Sequence, residues 1–166
     1  MANRKSWDRF FLGLARMYAR RSKDPSTKCG AVIVNGANGV ISGGYNGFAR
    51  GSRADVTKVT RAEKLKRTAH AEQNSVFNAA RHGIGLEGCS IYVVSTNPEY
   101  GLPCAACALA ITQSGITQCV VANTNYPKRW AKDTHIMVET FRECGVILRK
   151  ADSPTCLQHK EQLHAC

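Results

Sequence analysis

No apolar run in the 166-residue chain approaches the roughly 18 residues needed to cross a bilayer, which excludes a membrane-spanning helix. Near the start, Trp7-Asp8-Arg9 interrupts the apolar stretch that a secretion signal requires. There is no internal repeat and no low-complexity tract, so solenoid and linker architectures are excluded as well. Acid is scarce: 12 Asp and Glu stand against 23 Lys and Arg, for a net charge of +11. What remains is ordinary, with 43% hydrophobic and 21% charged residues, which rules out wholesale disorder. The length suits one domain around a single core, spanning 1–150, with a polar tail over 151–166. The expected location is the cytoplasm.

The charge is concentrated. Residues 1–24 and 50–67 each carry seven basic and two acidic residues, and so account for nearly all the excess. Two readings stay open: a solvated surface that maintains solubility, or a site for a polyanion such as RNA or a nucleotide phosphate.

Eight cysteines do not make a disulfide scaffold in a chain of this length without a secretion signal. Cys104 and Cys107 form a Cys-x-x-Cys pair, whereas the other six are scattered and read as reduced, mostly buried thiols. Cys156, His159, His164 and Cys166 are spaced too irregularly to be taken as a metal site.

Apolar spacing predicts a helix over 6–20, ended by Asp24-Pro25. Strands follow at 31–34 and 40–45 across an Asn/Gly turn, then a long loop from Asn46 to about Arg61. Helices are expected over 69–82, 104–114 and 132–144, each stopped by a glycine, and strands over 89–95, 118–122 and 146–149. This alternation implies an α/β protein with a central sheet, helices on both faces, and parallel pairing of the last strands.

Two short motifs carry chemistry. His70-Ala71-Glu72 opens one predicted helix, and Pro103-Cys104-Ala105-Ala106-Cys107 opens another. Cysteines three apart share a helix face, the helix N-terminus favours their thiolates, and Pro103 suits a helix start. One imidazole and two thiolates make a three-ligand zinc site with the fourth position open, the arrangement of catalytic rather than structural zinc. Glu72, two residues from His70, lies where a carboxylate can move protons without ligating the metal. The pair of motifs, H-x-E with P-C-x-x-C, resembles the signature of zinc nucleobase deaminases.

Further stretches narrow the resemblance to the deoxycytidylate (dCMP) deaminase family: residues 21–32 (RSKDPSTKCGAV), Gly44-Tyr45-Asn46-Gly47, His70 to Asn74, Gly88 to Val93, and Gln113 to Ile116. It covers about residues 10–150 and implies a three-layer α-β-α cytidine deaminase-like fold with a central five-stranded mixed sheet. It further implies hydrolytic deamination of dCMP to dUMP and ammonia, with Zn2+ on His70, Cys104 and Cys107 and Glu72 as proton carrier. By the same resemblance Asn46 contacts substrate, and Ser26, Lys28, Tyr126 and Arg129 bind the 5′-phosphate. Asn46 also fits an ordinary turn, Lys28 a solvated charge, and Tyr126 a packing aromatic. The family is commonly a homo-hexamer regulated by dCTP and by dTTP with Mg2+.

The chain departs from that pattern at two places. About five residues are inserted within 96–102 before Pro103, at the expected rim of the base pocket, and Ala49 stands where members often have proline. A modified cytosine or a purine nucleotide therefore stays open as substrate. So does a deaminase of tRNA or single-stranded nucleic acid, favoured by the charge but lacking the Tyr-Asn-Gly and HAE-x-Asn features found here.

Overall fold

In a computed structural model, residues 4–152 are described, the side chains of 4–6 excepted. Cys156, His159, His164 and Cys166, with nearly all of the expected tail, lie outside the described residues. The elements run α1 (Arg4–Ala19), β1 (Cys29–Val34), β2 (Val40–Tyr45), β3 (Gly47–Phe48), α2 (Arg61–Arg67), β4 (Thr68–Ala69), α3 (Ala71–Arg81), β5 (Ser90–Ser95), α4 (Ala105–Gln113), β6 (Gln118–Val121), α5 (Ala131–Glu143) and β7 (Ile147–Lys150). A 3₁₀ turn over Lys128–Trp130 precedes α5.

Five strands form one sheet in the order β2-β1-β5-β6-β7. β1 runs antiparallel to β2 and β5, while β5–β6 and β6–β7 are parallel, so the sheet is mixed as expected. Successive side chains on a strand point to opposite faces, and β1 separates accordingly. Val32 and Val34 pack with Phe11, Leu12 and Ala15 of α1, while Ala31 and Ile33 join the cluster containing Ala71, Ile111, Met137 and Phe141 of α3, α4 and α5. The result is three layers, with α1 on one face and α3, α4 and α5 on the other. Among the described residues no helix is long and apolar enough to cross a membrane.

α1 is clamped to the far end of the sheet by charge. Asp8 on α1 and Arg149 on β7 form a buried pair, with Nη1 to Oδ2 at 2.6 Å and Nη2 to Oδ1 at 2.8 Å. The Tyr92 hydroxyl and the Asp152 backbone N–H donate to the same carboxylate.

The long loop expected from Asn46 to about Arg61 is present apart from β3 at its start, and two elements that the sequence did not reveal, α2 and β4, follow it. β3 and β4 make a two-stranded ribbon, Gly47 opposite Ala69 and Phe48 opposite Thr68, and α2 lies beside it. The sequence RAEKLKR of α2 buries no residue, so it lacks the apolar period that reveals a helix. Local bonds support it instead: Thr60 Oγ1 caps the Glu63 N–H at 3.2 Å, and Arg67 pairs with Glu63 at 2.7 Å. The Thr60-x-x-Glu63 capping pattern is the sequence signal that marks it.

Candidate active site

His70 and Cys104 hold the same structural position. Each is the N-cap residue of its helix, His70 on α3 and Cys104 on α4, with extended backbone at φ −75° and −80°. Gln73 Oε1 accepts from the His70 N–H at 3.0 Å, and Asp133 Oδ2 from α5 accepts from the Ala105 N–H at 3.0 Å, so both helix starts are satisfied. α3 is also pinned to β2. Asn74 and Asn78 donate to the carbonyls of Tyr45 and Gly43 at 2.8 Å, and Ser42 donates to that of Ser75 at 2.7 Å. A side-chain carbon on Gly44 would meet Ser75 N at 2.5 Å and Ala71 O at 2.6 Å, so only glycine lets α3 approach this closely.

These supports bring His70, Cys104 and Cys107 together. Nδ1 of His70 lies 3.4 Å from Cys104 Sγ and 3.3 Å from Cys107 Sγ, and all three donor atoms fall within 4.8 Å of one another. Tetrahedral zinc with bonds of about 2.0 Å to nitrogen and 2.3 Å to sulfur has N···S edges of about 3.5 Å, so the donors fit that ion. Among the described residues this is the one cluster of three or more such donors, and it leaves a fourth tetrahedral direction without a protein ligand.

The Cys104 thiol is pulled down to about 4, first by its hydrogen bond with Cys107 and then by His70, against the effect of burial. Cys107 is pushed up, chiefly by sharing that bond and by burial, and His70 is raised to about 9, first by its bond with Cys104. Burial pushes up the carboxyl of Glu72, which is 5% exposed.

His70, Glu72 and Cys104 line a cavity of about 340 Å³. Val93, Val94 and Leu102 give it an apolar wall. Tyr100 and Trp130 add an aromatic pair, edge to face at 4.9 Å. Of the residues expected to touch substrate, Ser26 and Asn46 line this cavity, and Lys28, Tyr126 and Arg129 do not. Asn46 is buried, its Oδ1 accepting from Cys29 N at 2.7 Å and its Nδ2 donating to Thr27 O at 2.9 Å. Lys28 is half-buried outside the wall, and Tyr126 packs against the core. Arg129 is exposed and reaches the cavity only through the Tyr100 hydroxyl, to which it donates.

The fold also places in the wall Arg61 and Lys64 on α2, known from the sequence only as members of the basic segment 50–67, together with Tyr100 and Trp130, to which the sequence assigned no role. Tyr100 is carried by the 96–102 insertion, so that departure from pattern was its signal. Trp130 has no comparable signal, because it arrives through the 3₁₀ turn far along the chain.

The comparisons agree with this geometry. Residues 5–123 match the family model described as the cytidine and deoxycytidylate deaminase zinc-binding region. The chain belongs to the cytidine and deoxycytidylate deaminase family. The deoxycytidylate deaminase of Mus musculus is 33% identical over 150 residues, covering 87% of this chain and 79% of that protein. An uncharacterised deaminase of Aliivibrio fischeri is 34% identical over 142 residues, covering 84% and 90%. Among solved structures, the dCMP deaminase of cyanophage S-TIM5 in complex with dCMP and dUMP superposes with a TM-score of 0.70 at 19% identity, covering 87% of this chain and 96% of that one, a likeness of fold. As a deaminase the chain is a hydrolase with the family's zinc-binding region, and the fold is the cytidine deaminase-like one that the sequence implied.

Proposed function

We propose that this deaminase converts dCMP and water to dUMP and ammonia. The observation that carries the reading is the placement of Glu72, buried beside the His70, Cys104 and Cys107 cluster and lining the same cavity. Zinc held by those three residues supplies a Lewis acid that lets water ionise near neutral pH. Glu72 accepts the proton from the attacking water, and burial, by raising its pKa, makes it able to hold that proton rather than lose it to solvent. It returns the proton to N3 of the pyrimidine as oxygen adds to C4. It then transfers the second water proton to the exocyclic nitrogen, which leaves as ammonia while the C4 carbonyl forms. Val93, Val94, Leu102, Tyr100 and Trp130 enclose the base, and Asn46 and Ser26 meet the sugar and phosphate side.

Support for the substrate comes from the mouse relative, which carries the name deoxycytidylate deaminase over most of the length shared with this chain. In the same reading residues 1–150 work as one deaminase domain, in the cytoplasm, assembled as a homo-oligomer, with a hexamer the form implied by the family. Exposed Phe10, Met17, Phe77 and Leu109 provide apolar surface for such contacts. A second cavity of about 630 Å³, edged by Arg21, Lys23 and Arg53, suits a regulatory triphosphate with Mg2+.

An ammonia-release panel tests this directly: dCMP, CMP, dCTP, deoxycytidine, 5-substituted dCMP, dAMP and a single-stranded oligodeoxynucleotide. The expected result is a preference for dCMP. Turnover of the oligonucleotide with none of dCMP would replace the reading with a polynucleotide deaminase, and turnover of dAMP alone with a purine enzyme.

A further inference from the structure

Opposite in sequence to the zinc motifs, α2 brings two cations to the cavity, Arg61 and Lys64, the second of them paired with the Asp24 carboxylate in the same wall. Arg61 and Lys64 are three residues apart on this helix, share a face, and both line the cavity that holds Glu72. The loop that would otherwise provide anion donors has spent them. The Ser26 N–H, the Ser26 hydroxyl and the Thr27 N–H all donate to Asp24 Oδ1, at 2.8, 2.9 and 3.0 Å. The Cys29 N–H is taken by Asn46. Lys64 is fixed by Asp24 at 3.0 Å and by the Ser26 hydroxyl at 3.0 Å, which holds its ammonium in place with its side chain only 15% exposed. Arg61 is exposed, and among the described residues no hydrogen bond or ion pair engages its side chain. It therefore offers a guanidinium fork with all five N–H donors free, the geometry that suits a phosphate monoester.

We infer that α2 is the substrate's phosphate clamp: Arg61, whose charge is unpaired among the described residues, grips the 5′-phosphate of the nucleotide and so selects nucleotide over nucleoside. The inference rests on the deaminase reading of the same cavity and assigns phosphate recognition to a helix that the motifs do not include. It also gives part of the positive charge of residues 50–67 a specific task. The phosphate belongs to a mononucleotide rather than to a strand, because the clamp shares a cavity of about 340 Å³ with the catalytic carboxylate.

The test uses the zinc-loaded full chain with Arg61→Ala, Arg61→Glu and Arg61→Lys, and with Lys28→Ala and Arg129→Ala as comparators. Loss of a charge-assisted hydrogen bond predicts a KM for dCMP about tenfold higher in Arg61→Ala, larger in Arg61→Glu and partly restored in Arg61→Lys. The kcat should stay within about twofold, which separates binding from chemistry. Equilibrium dialysis provides a second readout: wild type prefers dUMP to deoxyuridine, and Arg61→Ala reduces that preference about tenfold. If dCMP is turned over but the Arg61 variants keep the wild-type KM and dUMP affinity, the clamp is wrong while the deaminase reading stands. The clamp is equally wrong if Lys28→Ala or Arg129→Ala shows the loss instead. A wild-type chain that neither deaminates dCMP nor binds dUMP overturns both. Weaker oligonucleotide binding in Arg61→Ala, with dUMP binding unaffected, assigns the basic face to phosphodiesters and overturns the clamp.

Discussion

Nδ1 of His70 lies 3.4 Å from Sγ of Cys104, although 33 residues separate them and each caps a different helix. Two helix N-termini therefore converge on one point, and both direct their positive ends at the sulfur ligands. For Cys104, at the start of α4, that arrangement favours thiolate over thiol before any metal binds. It also places Glu72, in the first turn of α3, in the wall of the cavity that His70 and Cys104 line.

Removing the proton carrier should separate metal binding from chemistry. Glu72→Gln keeps the shape of the side chain, so bound zinc stays at the wild-type level by elemental analysis. The kcat for dCMP falls by about 10²- to 10⁴-fold, the usual contribution of a positioned acid–base group. Undiminished turnover would show that the proton takes another route.

Stripping the metal should be reversible and specific. Dialysis against a chelator abolishes ammonia release, and added Zn2+ restores it. Cys107→Ala leaves one thiolate and the imidazole, so its zinc content falls well below that of the wild type under the same dialysis. Activity that survives complete zinc removal would contradict the proposed chemistry.

Gly44→Ala tests how the active-site helix is seated. The added carbon must displace the backbone of Ala71 or Ser75 on α3, and overpacking of this kind costs about 1–3 kcal/mol. Because α3 carries Glu72 and begins at His70, kcat should fall along with stability, measured by urea unfolding. Full activity at reduced stability would mean that the helix shifts without moving its first turn.

The Asp8–Arg149 pair predicts an asymmetric double-mutant cycle. Arg149→Met strands a buried carboxylate and costs about 3–5 kcal/mol, whereas Asp8→Leu with Arg149→Met removes both charges and costs much less. Chemical denaturation of Arg149→Met, Asp8→Leu and the double variant measures the difference. Equal losses in the single and double variants would show that the pair contributes packing and not charge.

Acid should weaken the fold through the same carboxylate. Burial raises the pKa of Asp8, but hydrogen bonds and charge from Arg149, the Asp152 N–H and the Tyr92 hydroxyl outweigh it, and the net shift is downward. Asp24 behaves likewise, with burial outweighed by the N–H groups of Thr27 and Ser26 and by Lys64. Both folded values lie below the unfolded value of about 3.9, so the unfolded chain binds more protons in this window. The stabilisation is complete above about pH 4 and is lost as pH falls through the lower folded values. Thermal unfolding between pH 5 and about pH 2 should show that loss, with a shallower slope in Asp8→Asn.

Much of the protein was legible in residue order because it rests on local physics. Short continuous apolar runs mark β1, β5 and β6, glycines stop the helices, and a His-x-Glu with a Pro-Cys-x-x-Cys states its donor chemistry outright. Other features needed the fold. α2 carries no apolar stripe, so periodicity passes over it, and only its place against the cavity gives Arg61 and Lys64 a role. Lys28, Tyr126 and Arg129, phosphate contacts by family resemblance, do not line the cavity, which residue order does not show. The 96–102 insertion was visible as extra length, but only packing shows that it sets Tyr100 against Trp130. The sequence by itself determined the reaction chemistry, because ligand and proton-carrier identity are properties of side chains. The tertiary structure decided which cations face the cavity, because that depends on which elements meet around it, and no local pattern encodes it.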